Sequence, residues 1–495
     1  FMATAMAVMS LAGCGNQPTE NSTENSEAAG GAATGEEVDL SEEVELVMYL
    51  IGSEQVDHAK VMDKLNEKLK EDLNCTLNLK YIGFGEFDTK YPLILSSGEQ
   101  IDLIYTSAWL NYPQMVKKGA YMAIDDILEK YAPKTYAESD IETLRALSED
   151  GHIYGLPSNH PQYYSYGIIA RGDAMREFGY EKLETIDEFY DFLAEANSSG
   201  KYKDALCQSM HNNDEICLIA NGYFPLTGGT LSPYWIKVAD ENHTVLVKSE
   251  IPEVQEYMQK SQERLEAGVW SQSVLSNTDS MMLDEGLAAG IIHNVDNWIN
   301  KATTYPQYEL TYQNIANPIY EGSLIQDCMA IPTSAKYPER ALMMLELFRQ
   351  DESYYNLITY GIEGEHYTID EESGNLQLMN QDKYQYENGT WGFRDDKFFR
   401  DLSGAPENAQ EVRDAIKNEA QENIYKGFMM DTEPIKNEYA AVQNAITQYY
   451  DPLQLGYVDY ETGLAELETA LEAAGNEACK TELQRQVDEY VAKFR

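Results

Sequence analysis

Patterned apolar segments begin at Val44. Val44-Glu45-Leu46-Val47-Met48-Tyr49-Leu50 reads as a first strand, apolar enough to be central in a sheet. Gly52-Ser53-Glu54 follows as a loop. Met62, Leu65, Leu69 and Leu73 then recur with the stripe of an amphipathic helix. Thr76 to Ile82 alternates, with Leu77, Leu79 and Tyr81 on one face, and predicts a second strand. A helical stretch over about 86–96 leads to a third, buried-type strand, Ile101-Asp102-Leu103-Ile104-Tyr105. The order β-α-β-α-β predicts a parallel sheet covered by helices, with ligands beyond the carboxyl ends of its strands. Two loops leave those ends: Gly52-Ser53-Glu54 and Thr106-Ser107-Ala108-Trp109.

The next helix closes at Gly119, a natural C′ residue. Asp150-Gly151-His152-Ile153-Tyr154-Gly155-Leu156-Pro157 is a turn, a short strand and a breaker. Thr185-Ile186-Asp187-Glu188 is a capping box, in which the Thr and Glu side chains satisfy each other's backbone donors. Leu226-Thr227-Gly228-Gly229-Thr230 reads as a loop, and a helix covers about 251–267. Gly290-Ile291-Ile292-His293 is a strand running into the polar turn Asn294-Val295-Asp296-Asn297-Trp298. Ile315 to Pro318 has the character of a return crossing. A helix carrying Ala341, Leu342, Leu345 and Phe348 follows, then a hairpin at Glu372-Ser373-Gly374-Asn375. The end is helical, with apolar faces at Ile435, Tyr439, Val442 and Ile446, at Leu464, Leu467 and Leu471, and at Leu483, Val487 and Phe494. Gly475 stops one of these helices.

Before Val44 the pattern is different. Phe1 to Ser10 fits an apolar h-region without its charged n-region, so residues 1–13 read as a truncated signal peptide. Leu11-Ala12-Gly13-Cys14 resembles the lipobox of bacterial lipoproteins, which implies cleavage before Cys14 and a diacylglyceryl group on its thiol. Residues 14–43 are then a lipid-anchored tether rich in Gly, Ser, Thr, Asn and Glu. Treated as flexible coil, it has an r.m.s. reach of roughly 30 Å. After residue 14 no apolar run approaches the ~18–20 residues that span a bilayer, so the cargo is expected to be soluble apart from this anchor.

Composition narrows the choice of partners. The 495 residues carry a net charge of −48, which repels phosphate backbones, so nucleic-acid binding is not expected. A cationic ligand stays open. The 36 tyrosines offer amphipathic rings to core, interface or ligand alike. Cysteines stand at 14, 75, 207, 217, 328 and 479, an odd set once Cys14 is lipidated, so no disulfide framework is indicated. Free thiols in an exported chain would suit a reducing or anaerobic setting.

Gly98-x3-Asp102 before a strand, Trp109, Lys118-Gly119-Ala120 and the D-G-x-x-Y-G-x-P run together resemble the extracellular sugar-binding proteins that feed ABC importers. In that family the last run leads to the first crossing between two lobes. Tyr166-Gly167-Ile168-Ile169-Ala170-Arg171 resembles the strand entering the second lobe, and Gly290 to Trp298 the glycine-strand-Trp element that lines the cleft. Gly361-Ile362-Glu363-Gly364, Tyr367, Gly456-Tyr457-Val458-Asp459, Ala473-Ala474-Gly475 and Glu482-Leu483-Gln484-Arg485-Gln486 resemble the LipO-type subgroup. The resemblance implies an α/β, two-lobed periplasmic-binding-protein-like (type II) fold with a hinge cleft and a helical C-terminal region. Lobe 1 is expected at 44–157 plus about 322–375, and lobe 2 at 158–321 plus about 376–495.

Catalytic signatures are missing from the sequence: no H-E-x-x-H, no G-x-S-x-G and no Walker loop, and Gly83-Phe84-Gly85 lacks the third glycine of a dinucleotide fingerprint. Cys207, His211 and Cys217 fit no standard zinc spacing. No cofactor and no metal are expected. A sugar cleft needs aromatic plates for the C–H face of the ring and convergent polar groups for its hydroxyl rim. Trp109 with Ser107, and Trp298 with Asp296 and Asn297, provide that pairing at predicted strand ends. Ser53 lies on the first loop, Asn159, Tyr163 and Tyr164 near the first crossing, and Trp391 in a polar loop. Core packing is the competing role for each Trp.

The expected function is capture of a solute, an oligosaccharide first, by a monomer on the outer face of a bacterial cytoplasmic membrane, and its delivery to ABC permease subunits. A peptide, amino acid or cationic solute on the same fold stays open, as does a surface glycoside hydrolase. Cys14→Ala is expected to abolish lipidation and release the chain from membranes. Normal maturation of that variant to a membrane-bound form would remove the anchor.

Overall fold

The computed structural model describes residues 38–207, 214–226, 232–276 and 281–494. Cys14, most of the expected tether, His211 and the expected loop residues 227–230 lie outside them. The chain separates into two units, 1–39 and 40–495. All secondary structure of the described residues belongs to the second.

Strand β1 (Val44–Ile51) is buried along most of its length. Helix α1 (His58–Leu73) lays Val61, Met62, Leu65, Leu69 and Leu73 on the sheet, and Asn74 ends it in the left-handed region. Strand β2 (Cys75–Ile82) pairs in parallel with β1, Val44 opposite Cys75 through Ile51 opposite Ile82. Helix α2 (Phe87–Ser96) precedes β3 (Leu103–Thr106). Asp102, fully buried, accepts from the backbone N–H groups of Val47, Lys336 and Tyr337 at 2.9–3.1 Å. The acid of the Gly98-x3-Asp102 motif thus binds main chain, because a buried carboxylate must be hydrogen-bonded.

Farther on lie β4 (Gly155–Pro157), β5 (Gly167–Ala170), α3 (Ile186–Ser198) with the Thr185–Glu188 capping box formed, and α4 (Pro252–Ala267). Strand β6 (Gly290–His293) leads into α5 (Val295–Thr304), and β7 (Thr311–Asn314) follows. Strand β8 (Cys328–Ala330) and α6 (Pro338–Gln350) come next. The expected hairpin forms between 367–369 and 376–378. The end of the chain is α7 (Ala409–Glu419), α8 (Lys436–Ala445), α9 (Tyr460–Ala473) and α10 (Asn476–Phe494). Among the described residues no helix is long and apolar enough to cross a membrane.

The first sheet has the order β2-β1-β3-β8-β4. Its first three strands are parallel, as the β-α-β-α-β order predicts, and β8 is antiparallel to β3 and β4. The second lobe holds the antiparallel sheet β6-β5-β7 and a separate three-stranded sheet of 223–225, 234–237 and 245–247. Two large apolar cores result. One gathers β1 to β4, β8, α1 and α6; the other gathers α3, α4, the small sheet and the C-terminal helices.

One boundary differs from the sequence expectation. Tyr384 and Phe393 belong to the first core, and Leu376, Tyr386 and Leu402 form an annex to it with Tyr355, Tyr360 and Tyr367. Residues 376–402 therefore pack with lobe 1, and the chain rejoins lobe 2 near Ala409, which packs with Trp298 and Ile299. The reason is a close approach at Gly389. Its φ is +75°, and a Cβ there would lie 2.2 Å from the Ile51 carbonyl oxygen. Only glycine lets this segment cross the end of β1. Gly389→Ala is expected to destabilise the protein by about 1–3 kcal/mol, read from urea unfolding; an unchanged midpoint would show that the contact is dispensable.

Candidate ligand-binding cleft

The topology brings one end of each sheet to the same place. In lobe 1, β1 and β3 point their carboxyl ends toward the crossings, β4 leaves into the first crossing and β8 enters from the second. In lobe 2, β5 is entered from the first crossing. Its antiparallel partners β6 and β7 place His293 and Asn314 opposite Gly167. The loops of both lobes therefore converge where the chain passes between them.

On the lobe 1 side the loops present an aromatic group. Tyr105, at the end of β3, lies 5.9 Å from both Trp109 and Trp391. Trp109 meets Phe87 edge-on at 5.3 Å, and Trp391 lies 6.0 Å from Phe84. Phe84 is among the few large apolar side chains left exposed. Trp109 and Trp391 are half-buried, so each keeps part of its surface open.

On the lobe 2 side, α5 begins at the cleft. The Asn294 side chain caps it by accepting from the Asn297 N–H at 2.9 Å. Asp296, in the first turn, is the centre of a charge network. Its Oδ1 accepts from Arg413 Nε at 3.1 Å and Nη2 at 2.9 Å. Its Oδ2 lies 3.5 Å from Arg394 Nη1 and 3.8 Å from His160 Nε2. Arg394 comes from the lobe 1 segment, is buried, stacks over Phe399 at 4.0 Å and also faces Glu387 and Asp396. Burial pushes the Asp296 carboxyl up, but the Arg394 and Arg413 guanidiniums outweigh it and hold the pKa at about 2, against an ordinary 3.8. Burial moves Glu387 the other way, above its usual range. Burial and nearby Lys301 push His293 down to about 4, so the imidazole beside Tyr166 is neutral at pH 7.

Along the crossings runs a cleft of about 330 Å³, within the ~300–1,000 Å³ of small-molecule sites. Asn159, His160, Gln162, Tyr163, Glu321 and Asp327 contribute to its walls. Asp327 links it to the aromatic group: Oδ1 accepts from the Tyr105 hydroxyl at 2.6 Å and Oδ2 from Gln162 Nε2 at 3.0 Å. Burial raises the Asp327 carboxyl above its ordinary value, against the lowering effect of the Tyr105 bond.

The residues singled out in the sequence divide into two sets. Asn159 and Tyr163 line the cleft, Trp109 and Trp391 belong to the aromatic group, and Asp296 and Asn297 stand at the start of α5. Asn297 Oδ1 is enclosed without a hydrogen-bond partner. Ser53 is exposed on its loop, where its carbonyl accepts from Asn388 Nδ2 at 2.7 Å. The other set has different work. Trp298 is not in a turn but inside α5, where its helical spacing turns it inward; it is buried, stacks on Tyr312 and donates to the Leu310 carbonyl at 2.9 Å. Ser107 is buried and its hydroxyl donates to the Gln326 carbonyl. Tyr164 pairs with Tyr320 and packs on Phe224. Sequence reasoning passed over Phe84, Tyr105, Asp327, His293 and Arg394. Phe84 follows the carboxyl end of β2, the one strand end not considered, which was the available signal.

Asp57, Glu365 and His366 have ligand atoms close enough together for a metal ion. Their hydrogen bonds argue for another role. His366 Nδ1 accepts from the Ile362 N–H at 3.0 Å, so the ring proton sits on Nε2 and faces Asp57 at 3.1 Å. A metal on Nε2 would force the proton onto Nδ1, against an N–H donor. Lys60 pairs with Glu365. Cys207 is buried and its Sγ accepts from the Leu283 N–H at 3.4 Å.

Two measurements follow from this geometry. Trp298→Ala is expected to cost about 3–5 kcal/mol of stability, as deletion of a buried indole does, rather than to act through ligand contact; a stable variant with lost ligand affinity would reverse the assignment. Because the folded-state pKa of Asp296 is depressed, its contribution to stability is present above pH 3.8 and is lost as pH falls toward about 2. The stability difference between the wild type and Asp296→Asn should shrink over that window in pH-dependent unfolding; a difference independent of pH would disprove the charge network.

Comparison with known proteins supplies the family. Residues 53–349 match the model of the bacterial extracellular solute-binding proteins, and residues 424–492 match a domain of unknown function. A carbohydrate ABC transporter substrate-binding protein of Streptococcus pneumoniae is 22% identical over 97% of this chain and 95% of its own length. The lipoprotein LipO of Bacillus subtilis is 24% identical over 41% of this chain and 38% of its own. The crystal structure of an N-glycan transport solute-binding protein from Streptococcus pneumoniae, in complex with Man1GlcNAc, superimposes with a TM-score of 0.78 at 19% identity, covering 91% of this chain and all of that one. With a family model spanning more than half of its residues and a matching two-lobed fold, the chain belongs to the bacterial extracellular solute-binding proteins.

Proposed function

We propose that this solute-binding protein captures an oligosaccharide and delivers it to an ABC importer permease. The observation that carries the reading is the pairing of the Trp109, Trp391 and Phe84 rings on lobe 1, backed by the buried Tyr105, with the polar start of α5 on lobe 2. Aromatic rings cover the C–H face of a pyranose, and amides and carboxylates receive its hydroxyl rim. Asn159 and Tyr163 in the cleft wall, Ser53, and Asp296 and Asn297 on α5 are the polar groups within this reading. The named carbohydrate relative and the glycan-bound neighbour point the same way.

Ligand touching both lobes favours the closed state, so binding shifts the hinge equilibrium toward it. The closed form then offers a joined surface to the permease. A lipid on Cys14, with the tether behind it, would hold a monomer at the outer face of the membrane and raise its concentration at that permease.

A thermal-shift panel of mannose-containing oligosaccharides, peptides and polyamines tests the ligand class. Oligosaccharides should stabilise the protein and be recovered intact; shifts with peptides or polyamines alone would refute the reading, and cleaved sugar would make the protein a hydrolase. Trp391→Ala should weaken sugar binding at least tenfold, about 1.4 kcal/mol, with the fold retained, and an unchanged calorimetric Kd would remove Trp391 from the site.

A further inference from the structure

Residues 421–431 lead into the C-terminal helical region and touch three parts of the molecule. Tyr425, Phe428 and Met430 are buried in the second core, and Asp431 exchanges hydrogen bonds with the Gln486 side chain of α10, both 2.8 Å. The same stretch is laced to the second crossing by main chain. Gln421 N–H donates to the Ile319 carbonyl at 2.9 Å, Glu321 N–H to the Gln421 carbonyl at 3.0 Å, and Leu324 N–H to the Lys426 carbonyl at 2.8 Å. It also reaches lobe 1. Lys426 Nζ lies between Glu321 of the crossing, at 2.8 Å, and Glu142 of the helix Ile141–Ala146, at 3.1 Å. Asp431 lies 3.4 Å from Lys117. At Gly427 a Cβ would stand 3.3 Å from that of Ala146, and Met429 packs against the first core.

We propose that the C-terminal helical region is a hinge strap that sets how far the lobes open; Glu142 and Lys426 also line the hinge cleft, whereas the Asp431–Lys117 pair lies outside its lining. This rests on the hinge-closing reading above. The strap is fixed to lobe 2 by its buried side chains and to the crossing by backbone bonds. Any rotation of the lobes about residues 319–324 must therefore slide the Lys426–Glu142 and Asp431–Lys117 pairs. Those pairs select the lobe arrangement in which they form. Each is partly exposed and individually weak, which suits a device that biases an equilibrium instead of locking it. The strap gives a role to residues that match a domain of unknown function.

The test compares full-length wild type with Glu142→Gln, Lys426→Met and a Lys426→Met/Asp431→Asn double variant. Glu142 is a surface residue whose change threatens no core, so Glu142→Gln keeps the proposal falsifiable should the double variant misfold. In ligand-free protein the variants should change the radius of gyration by small-angle scattering and speed amide exchange over 319–327, with circular dichroism unchanged. Lys426→Arg should restore both. Identical scattering and exchange in folded Glu142→Gln and Lys426→Met would overturn the strap. A second arm titrates Man5GlcNAc against a single Asp431→Asn variant, whose pair with Lys117 lies outside the cleft lining; its Kd should change on the order of fivefold, and an unchanged Kd beside altered scattering would also overturn the strap's control of binding. If this sugar fails to bind the wild type, it is the oligosaccharide reading that fails, and scattering and exchange still decide the strap.

Discussion

Chain that leaves a sheet must find new partners for its backbone N–H and C=O groups, and here the crossing segments find one another. Ser158 N–H donates to the Asp327 carbonyl at 2.8 Å, Gly322 N–H to the Gln162 carbonyl at 2.7 Å, and Asn159 N–H to the Arg394 carbonyl at 2.9 Å. Three passes between the lobes are thereby tied into one ribbon. The candidate site is hung from it. The aromatic group sits at the strand ends on one side, α5 begins on the other, and Asp327 spans from the ribbon to Tyr105. A rotation of the lobes that kept these bonds would pivot on this ribbon.

The charge distribution makes sense against this ribbon. Bases are scarce in a chain of 84 acidic and 36 basic residues, yet three arginines are buried at junctions. Arg340 donates to the Leu73 and Asn74 carbonyls at the end of α1, Arg349 donates to the Pro157 carbonyl where the first crossing begins, and Arg394 faces Asp296 across the cleft. A planar guanidinium can serve several fixed acceptors at once. The abundant carboxylates remain largely outside, where water screens them. The acidic bulk charge thus says little about the cleft, whose Asp296 is matched by Arg394 and Arg413.

Local features were legible in the sequence because short-range physics decides them. The β1, α1, β2 and β3 periodicities, the Thr185 capping box and the hairpin near Gly374 all came through. Trp298 was misread although a local signal existed: Asn294 three residues before Asn297 is an N-cap pattern, and Trp298, Ile299 and Ala302 have helical spacing. The lobe assignment of 376–402 had no such signal, since it depends on Gly389 meeting Ile51, more than 300 residues earlier. Asp296 was found as a polar neighbour of a Trp. Its partners at 160, 394 and 413 could not be read, because opposite charges far apart in sequence carry no spacing rule. The aromatic group was half visible: Trp109 and Trp391 stood out as rare residues, while Tyr105 was hidden among 36 tyrosines.

The sheet order of lobe 1 has a consequence for how the molecule comes into being. Strand β4 joins that sheet only through β8, which lies some 170 residues further along the chain. Lobe 2 is interrupted in the same way, since its core needs Val442, Leu467 and Leu483 from the far end. Lobe 1 cannot close its core before Phe393 is present, nor lobe 2 before Val487, and the many long-range pairings slow that closure. For a member of an extracellular family, slow completion of both halves is compatible with crossing a membrane before folding.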